Sequence, residues 1–290
     1  MKRTLSVLLM LFISMLLMPV CAQSALPVPQ SVMVNNVKIN YVEQGEGDEA
    51  VIFVHGYAGS LGHWRKVLEL LPKEYHAYAL DQRGYGQSDK PGSYQLTEMV
   101  EDIYAFSQEL GIERFTYVGY SMGGKIGMKF ALDHPDVLKA LVLVCPSAAF
   151  ALPPDQQLAM KEAVKSILLS PEMMRGAIEQ EVGKKLSEEF LNGLIEDTKM
   201  ADPTAMHESM DMIVSTDLMP QLGDITAPTL VVAGAKDMSS PLDVVVRPTV
   251  NAITGSRMEV FEDSSHFLLE ESPQKFVDLL TSFIKDVGVQ

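Results

Sequence analysis

The chain has 290 residues, of which 47% are hydrophobic, and a formal net charge of −15 at pH 7. A chain of this length can bury a substantial core, so we expect one enzyme-sized domain. The acidity argues against nucleic-acid binding, because phosphate would be repelled and basic residues occur only as isolated pairs such as Lys184 and Lys185. We attribute the excess of acidic residues to a solvated surface.

Residues 1–22 have the three-part layout of a secretory signal peptide. Lys2 and Arg3 form a basic start, residues 5–18 are nearly all apolar, and small residues follow. We predict cleavage after Ala22, with export to the periplasm or the medium. The apolar run is short for a bilayer span, which takes about 20 residues, so a retained membrane anchor is the lesser alternative.

Cysteine usage bears on the same segment. A lipid-modified Cys21 is a further alternative, although Val20 fits poorly where such signals prefer a small residue. If Cys21 leaves with the signal peptide, Cys145 is the only cysteine, and no disulfide can form within the chain. Membrane contact is not expected of the mature protein.

After the signal peptide, Asn35 and Asn36 lie between two β-prone runs, which predicts a hairpin over residues 34–47. Short apolar, β-branched or aromatic runs then recur, each ending in Gly, Asp or Ser. They cover residues 50–56, 76–84, 115–121, 140–147, 228–234 and 257–263. Most are apolar throughout, which is typical of strands buried on both faces of a parallel sheet.

Helical patterns separate these strands. They cover residues 64–71, 96–110, 122–133, 243–252 and 273–287. Strand, helix and strand in repetition predict an α/β fold with a doubly wound, mostly parallel sheet. We expect residues 26–290 to form this single domain.

Residues 148–220 interrupt the rhythm with helical patterns rich in Met and Leu, and we predict a helical cap inserted after the sixth strand. Its methionines are Met160, Met173, Met174, Met200, Met206, Met210, Met212 and Met219. Flexible thioethers can adapt to an apolar substrate group, so a cap over a pocket is the favoured role of the segment. Each methionine taken alone is better explained as filling the cap's own core.

The sequence Gly119-Tyr120-Ser121-Met122-Gly123 matches G-x-S-x-G between a buried strand and a helix. Glycines flank such a serine because side chains there would collide with neighbouring backbone. The sharp turn presents the hydroxyl at the carboxyl edge of the sheet, where open α/β folds bind ligands. We therefore predict that Ser121 is a nucleophile.

A serine hydroxyl needs a general base, and the base needs an orienting carboxylate. His266 follows the last strand, and Asp237 follows the preceding one, in the chain order Ser, Asp, His expected of this fold. An oxyanion hole is also required. We assign it to the amide of Met122, at a helix start, and the amide of Tyr57, in the loop after the first parallel strand.

These motifs resemble those of the α/β-hydrolase fold superfamily of the Ser-His-Asp type, over about residues 30–288. The matching blocks are HGYAGSLGHW, DQRGYGQSDKP, GYSMGGKIG, APTLVVAGAKDMSSP and DSSHFLLEESP. The resemblance implies the same triad and the same two oxyanion amides. It points to the branch with SMGG turns, which includes carboxylesterases, lipases, carbon–carbon bond hydrolases and cofactor-free perhydrolases. Epoxide hydrolases and haloalkane dehalogenases carry aspartate at the turn, so Ser121 argues against both.

The remaining histidines have structural interpretations. We expect His55 to shape the oxyanion loop by hydrogen bonding and His63 to mark a helix start. His207 lies in the predicted cap, where a pocket contact is the alternative to a surface role. The six histidines show no metal-ligand spacing, and no G-x-G-x-x-G opens a helix, so neither a metal nor a dinucleotide cofactor is predicted.

Two further features are assigned to the scaffold. Asp81 and Arg83 are expected to hold a turn after their strand instead of forming part of the site. Cys145 ends an apolar strand and is expected to be a small buried residue, not a thiol nucleophile.

The leading hypothesis is an exported serine hydrolase that cleaves carboxylic esters with an apolar acyl or alkyl group through an acyl-enzyme on Ser121. One alternative is a carbon–carbon bond hydrolase of the same fold, which export disfavours. The other is a hydrolase-fold protein that binds a small molecule or protein partner without turnover. Fold alone does not fix substrate.

Overall fold

The structure is a computed structural model that describes residues 26–150, 153–168, 170–182 and 186–288. The predicted signal peptide lies outside the described residues. Of the helices that are described, none combines the length and the apolar character needed to cross a bilayer.

A single eight-stranded sheet organises the described chain. Its strands are β1 Gln30–Val34, β2 Val37–Gln44, β3 Glu49–Val54, β4 Tyr75–Leu80, β5 Phe115–Tyr120, β6 Leu138–Val144, β7 Thr229–Gly234 and β8 Arg257–Phe261. Their order is β1-β2-β4-β3-β5-β6-β7-β8. β1 and β2 pair antiparallel with their neighbours, and every pairing from β4 to β8 is parallel. The predicted mostly parallel α/β sheet is confirmed.

The predicted hairpin is the β1–β2 pair. Val34 lies opposite Val37, so the turn consists of two residues. Asn35 and Asn36 have φ angles of 49° and 62°. Asparagine tolerates this left-handed conformation, and two such residues in a row match the twist of the flanking strands.

The helices follow the predicted positions closely. They are α1 Arg65–Leu70, α2 Leu96–Glu109, α3 Met122–Asp133, α4 Pro154–Leu168, α5 Pro171–Val182, α6 Glu188–Met200, α7 Pro203–Ser215, α8 Arg247–Ala252, α9 Leu268–Glu271 and α10 Pro273–Gly288. The helix predicted over residues 243–252 begins instead with a short π-helical segment, Leu242–Val246. Pro248 has no amide hydrogen to donate to the carbonyl four residues back, which accounts for the irregular start.

Two hydrophobic layers cover the faces of the sheet. Alternate residues of β3 enter opposite layers, with Ile52 on the side of α2 and α3 and Phe53 on the side of α1 and α10. In α10, the spacing of Phe276, Leu280 and Phe283 places all three on one buried stripe. Both faces are therefore covered, as the continuous apolar runs predicted.

Four helices, α4 to α7, lie between β6 and β7, and we call them the cap helices. Three of them begin with proline, whose missing amide hydrogen costs nothing in the first turn. The methionines divide between roles. Met174, Met206 and Met210 line a cavity, while Met212 joins the main core and Met173 is exposed.

Candidate active site

Ser121 sits in a strained turn between β5 and α3. Its backbone has φ 52° and ψ −111°, a conformation that costs energy for a residue with a Cβ. The turn is held by the amide of Ser121, which donates to the carbonyl of Val144 at 2.8 Å. The side chain is half-buried at the carboxyl end of the sheet, where the sequence placed it.

The glycines around the serine are required by close backbone approach. A Cβ at Gly119 would lie 2.3 Å from the carbonyl oxygen of Gly123, and a Cβ at Gly123 would lie 2.3 Å from that of Val54. A Cβ at Gly56, in the loop after β3, would lie 3.2 Å from the Cβ of Ser121. The turn and the loop after β3 are thus packed directly against one another.

One imidazole connects the serine to a carboxylate. His266 Nε2 lies 3.0 Å from Ser121 Oγ, and His266 Nδ1 lies 2.8 Å from Asp237 Oδ2. An ionised carboxylate can only accept, so Nδ1 carries the hydrogen and Nε2 is left to accept the serine proton. Asp237 Oδ1 accepts the amide of Ser240 at 2.7 Å, which fixes the carboxylate in its loop. The three predicted residues are therefore brought together.

The histidine and the aspartate stabilise each other's charged form. Burial alone would lower the pKa of His266, but the charge of Asp237 and its hydrogen bond raise the pKa above the ordinary value. Burial alone would raise the pKa of Asp237, and the charge of His266 with the Ser240 amide brings it below its ordinary value. The pair is thus suited to hold a proton on the imidazole during a reaction.

The two predicted oxyanion amides belong to Met122, which follows Ser121 directly, and to Tyr57, in the loop that packs against the serine turn. Met122 is the first residue of α3, where amides have no acceptor within the helix and the helix dipole favours negative charge. Tyr57 follows Gly56 in the loop that packs against Ser121. The hydroxyl of Tyr57 donates to the carbonyl of Met206 at 3.0 Å, which joins this loop to α7.

His55 braces the oxyanion loop, as its position in the sequence predicted. Its Nε2 accepts the amide of Gln82 at 3.0 Å, so Nδ1 carries the hydrogen and donates to the carbonyl of Gly56 at 2.7 Å. The ring is fully buried, and burial lowers its pKa, so it remains neutral.

His63 and Tyr120 contribute more to the site than their sequence positions indicated. His63 does lie in a short 3₁₀ helix, Leu61–Trp64, but its Nδ1 also accepts the amide of Gly56 at 3.3 Å. Burial lowers the pKa of His63 to about 3, so it is a neutral acceptor. The hydroxyl of Tyr120 donates to the carbonyl of His266 at 3.1 Å. No local motif marks either contact.

Asp81 and Arg83 are structural, as predicted. Asp81 accepts the amides of Leu61 and Gln87 at 2.7 and 2.9 Å, which holds two loops together. Arg83 grips the Asp102 carboxylate with two nitrogens, at 2.6 and 2.8 Å. Neither side chain forms part of the chain of hydrogen bonds that joins Ser121, His266 and Asp237.

Cys145 lies where its structural interpretation places it, and His207 has a surface position. Cys145 is fully buried, and burial raises the pKa of its thiol, so the thiolate is disfavoured at neutral pH. His207 is largely exposed and lies 3.5 Å from Asp211, at the border of the cap cavity.

A cavity of about 710 Å³ extends from Tyr57 into the cap helices. Its apolar lining is formed by Leu158, Leu168, Met174, Ile195, Met206 and Met210. Tyr57 also belongs to the loop packed against Ser121, so this one residue is shared between the cavity lining and the surroundings of the serine. The apolar part of the lining offers room for an apolar group.

The chain belongs to the α/β-hydrolase fold family, whose model matches residues 49–273. It is 27% identical over 276 residues to monoacylglycerol lipase abhd6-A of Xenopus laevis, covering 87% of this chain and 80% of that protein. It is 28% identical over 263 residues to 3-oxoadipate enol-lactonase 2 of Acinetobacter baylyi, covering 86% of this chain and 94% of the relative.

A solved structure shows the same architecture. The esterase EaEST from Exiguobacterium antarcticum superimposes with a TM-score of 0.80 at 28% identity, covering 89% of this chain and 100% of that one. Together with the family match, this likeness identifies the chain as a hydrolase of the α/β fold.

Proposed function

We propose that the protein is a serine hydrolase that cleaves carboxylic esters through an acyl-enzyme. The observation that carries the proposal is His266, which lies 3.0 Å from Ser121 Oγ and 2.8 Å from Asp237. Its relatives include a lipase, a lactonase and an esterase. Enzymes of these three kinds all break the single bond between an acyl carbon and the ester oxygen. The arrangement supports the same chemistry here.

Acylation follows from the geometry. Ser121 Oγ attacks the ester carbonyl while its proton passes to His266 Nε2, and Asp237 stabilises the imidazolium. The carbonyl oxygen becomes an oxyanion, which the amides of Tyr57 and Met122 stabilise. When the intermediate collapses, the carbon–oxygen bond to the alcohol breaks, and His266 returns the proton to the leaving alkoxide.

Deacylation reverses these roles with water as the nucleophile. His266 takes one proton from water, hydroxide oxygen bonds to the acyl carbon, and the bond to Ser121 Oγ breaks as the proton returns to serine. The products are the carboxylic acid and the regenerated enzyme. No electron transfer and no co-reactant besides water are required.

The cap cavity supports substrates with an apolar acyl or alkyl group. Met174, Met206 and Met210 can adjust their unbranched side chains to chains of different length. A cavity of about 710 Å³ is within the range that accepts small organic ligands. We therefore favour short to medium acyl esters over bulky polar ones.

The test is hydrolysis of p-nitrophenyl esters graded from acetate to laurate, with labelling by a fluorophosphonate probe. Wild type should hydrolyse butyrate and accept the probe, and Ser121→Ala should do neither. A vinylogous β-diketone in the same panel tests carbon–carbon cleavage. If the wild-type protein neither hydrolyses the esters nor reacts with the probe, ester hydrolysis is rejected. A ligand that the protein then retains unchanged would favour a binding role.

We further propose that the protein is exported, with residues 1–22 removed. Support comes from the basic start, apolar run and small residues of that segment. The mass of the protein recovered from periplasm or medium should correspond to a chain that begins at Gln23. A protein that stays with the cytoplasmic fraction at full length would contradict export.

A further inference from the structure

One carboxylate of the cap joins the two loops that carry the histidine and the aspartate. Glu181, near the end of α5, accepts the amide of Met238 at 3.1 Å and the amide of His266 at 3.3 Å through Oε1. Its Oε2 accepts the hydroxyl of Ser239 at 3.4 Å. Met238 directly follows Asp237, so Glu181 bonds beside one triad residue and to the backbone of the other.

Main-chain hydrogen bonds join the bases of these two loops. The amide of Ala235 donates to the carbonyl of Phe261 at 3.0 Å, and the amide of Lys236 donates to that of Ser264 at 3.0 Å. Both bonds lie before the tips of the loops, where the carboxylate and the imidazole must meet. From the described part of the cap, Glu181 reaches both tips.

We propose that Glu181 is a positioning residue. Through it, the alignment of His266 with Asp237 depends on whether α5 of the cap is packed against the two loops. With α5 in place, its carboxylate fixes the backbone of both loops. When α5 lifts, the two amides lose their shared acceptor, and one of the contacts that fixes the tips of both loops is removed. The inference rests on the proposed ester hydrolysis, because it concerns how that same triad is held.

The charge of Glu181 gives a second, separable effect. Five ionisable groups face His266 from the surrounding elements. They are Asp237 in the loop after β7, Glu181 in the cap, His63 in the 3₁₀ helix, Tyr120 in β5 and Cys145 directly after β6. Burial opposes protonation of His266, and the charges of Asp237 and Glu181 favour it. Neutralising Glu181 should therefore move the acid limb of the rate profile to lower pH.

Two substitutions separate position from charge. Glu181→Gln keeps an oxygen that accepts the two amides and removes the charge, so it should retain most activity and shift the acid limb to lower pH. Glu181→Ala removes the acceptor and should lower kcat/KM roughly 10- to 100-fold, the size of effect expected when reacting groups are misplaced. Glu179→Gln and Glu179→Ala, on the same helix, are the matched controls and should leave both quantities unchanged.

The experiment measures kcat/KM for p-nitrophenyl butyrate from pH 5 to 9 on the whole mature chain, which begins at Gln23. Active sites are counted by fluorophosphonate titration. Wild-type activity in Glu181→Ala overturns the positioning role. An unshifted acid limb in Glu181→Gln overturns the charge effect. If Glu181→Ala does not fold, Glu181→Asp, which keeps the charge and withdraws the acceptor by one methylene, takes its place, and wild-type activity in that variant overturns the positioning role.

A further measurement keeps the proposal distinct from the ester-hydrolase proposal. The imidazole resonances of His266 are titrated by NMR in wild type and in Glu181→Gln, and this requires no substrate. A lower midpoint in Glu181→Gln supports the charge effect even if no ester is cleaved, and an equal midpoint rejects it. The positioning role is rejected if the His266 resonances of Glu181→Ala keep their wild-type chemical shifts and line widths. If the wild-type protein cleaves no ester, only the ester-hydrolase proposal is contradicted.

Discussion

The ammonium group of Lys125 donates to the main-chain carbonyl of Thr216 at 2.7 Å, although the lysine is only 1% exposed. It also donates to the carbonyls of Ile213 at 2.9 Å and Ala148 at 3.1 Å. Ala148 lies where the chain enters the cap, and Thr216 lies where it leaves. One side chain, a single turn after Ser121, therefore fastens both ends of the cap to the helix of the nucleophile.

Lys125→Met should lower the free energy of unfolding by roughly 1–3 kcal/mol, because three charge-assisted hydrogen bonds to main-chain carbonyls are lost. The loss is kept small by burial of the ammonium group, which lowers the pKa of Lys125 to about 8. The effect should be concentrated at the cap, with faster amide exchange near Leu218, whose amide donates to the carbonyl of Ala148 at 3.2 Å. Urea unfolding and hydrogen exchange measure the two quantities.

Lys129→Met is the control for this variant. Lys129 lies one turn further along α3 and pairs with Asp133 on the same helix, where both side chains are partly exposed. Its loss should cost at most about 0.5 kcal/mol. Equal losses in the two variants would show that Lys125 does not fasten the cap.

The pH dependence of activity should follow His266. Only the neutral imidazole can accept the serine proton, and Asp237 raises the pKa of His266 above the ordinary 6.5 despite burial. The value of kcat/KM should therefore fall as pH falls, with a midpoint above 6.5. A midpoint below that value would show that the ion pair is weaker than the 2.8 Å contact indicates.

Asp237→Asn should lower kcat by about 10³- to 10⁴-fold while leaving the fold intact. The amide of asparagine can donate to Nδ1, which moves the imidazole hydrogen to Nε2 and removes the acceptor for Ser121. Steady-state kinetics beside circular dichroism separates this effect from unfolding. A loss below about tenfold would exclude Asp237 as the orienting carboxylate.

Local sequence patterns predicted the strands, most helix positions and the three residues of the relay, because each depends on neighbours within one strand, turn or helix. The contacts that tie the cap to the site were not predictable in this way. Glu181 and His266 are separated by 85 positions, and Lys125 and Thr216 by 91. Their meeting depends on how the cap helices are oriented, which no short motif specifies.

The methionines illustrate the same limit. The sequence predicts methionine-rich helices in the cap, but neither which methionines share a helix nor what each one faces. In the structure Met206 and Met210 line the cavity, and Met212 packs into the main core. Their roles diverge because opposite faces of α7 meet different neighbours.

Asp197→Asn should stabilise the protein in a pH-dependent way. Asp197 lies on α6 beside a cavity of about 610 Å³, where burial and the charge of Asp81 raise its pKa to about 7 although Ser60 and Arg65 oppose this. The folded chain thus keeps a proton that the unfolded chain loses near pH 4, so Asp197 costs stability progressively as pH rises to about 7.

The expected gain for Asp197→Asn is roughly 2–4 kcal/mol at pH 8 and close to zero at pH 4. Urea unfolding at the two pH values measures it. Glu196→Gln, on the exposed neighbouring residue of α6, should give no such difference. A gain that is equal at both pH values would mean that the asparagine improves packing and that the carboxyl is not the cause.

Glycine substitutions test how tightly the serine turn is packed against the oxyanion loop. A Cβ at Gly123 would lie 2.3 Å from the carbonyl oxygen of Val54 and 2.8 Å from that of His55. Backbone atoms cannot rotate away, so Gly123→Ala must push α3 from the end of β3. We expect a loss of roughly 1–3 kcal/mol in unfolding free energy and a larger relative loss of kcat, since the displaced backbone carries the amides of Tyr57 and Met122 that we propose as the oxyanion hole. At Gly176, within α5, a Cβ would meet nothing within 4 Å. Gly176→Ala should therefore stabilise the helix by roughly 0.5–1 kcal/mol and leave kcat unchanged. If both variants keep wild-type kcat in steady-state assays, the oxyanion loop does not require the close contact with the serine turn.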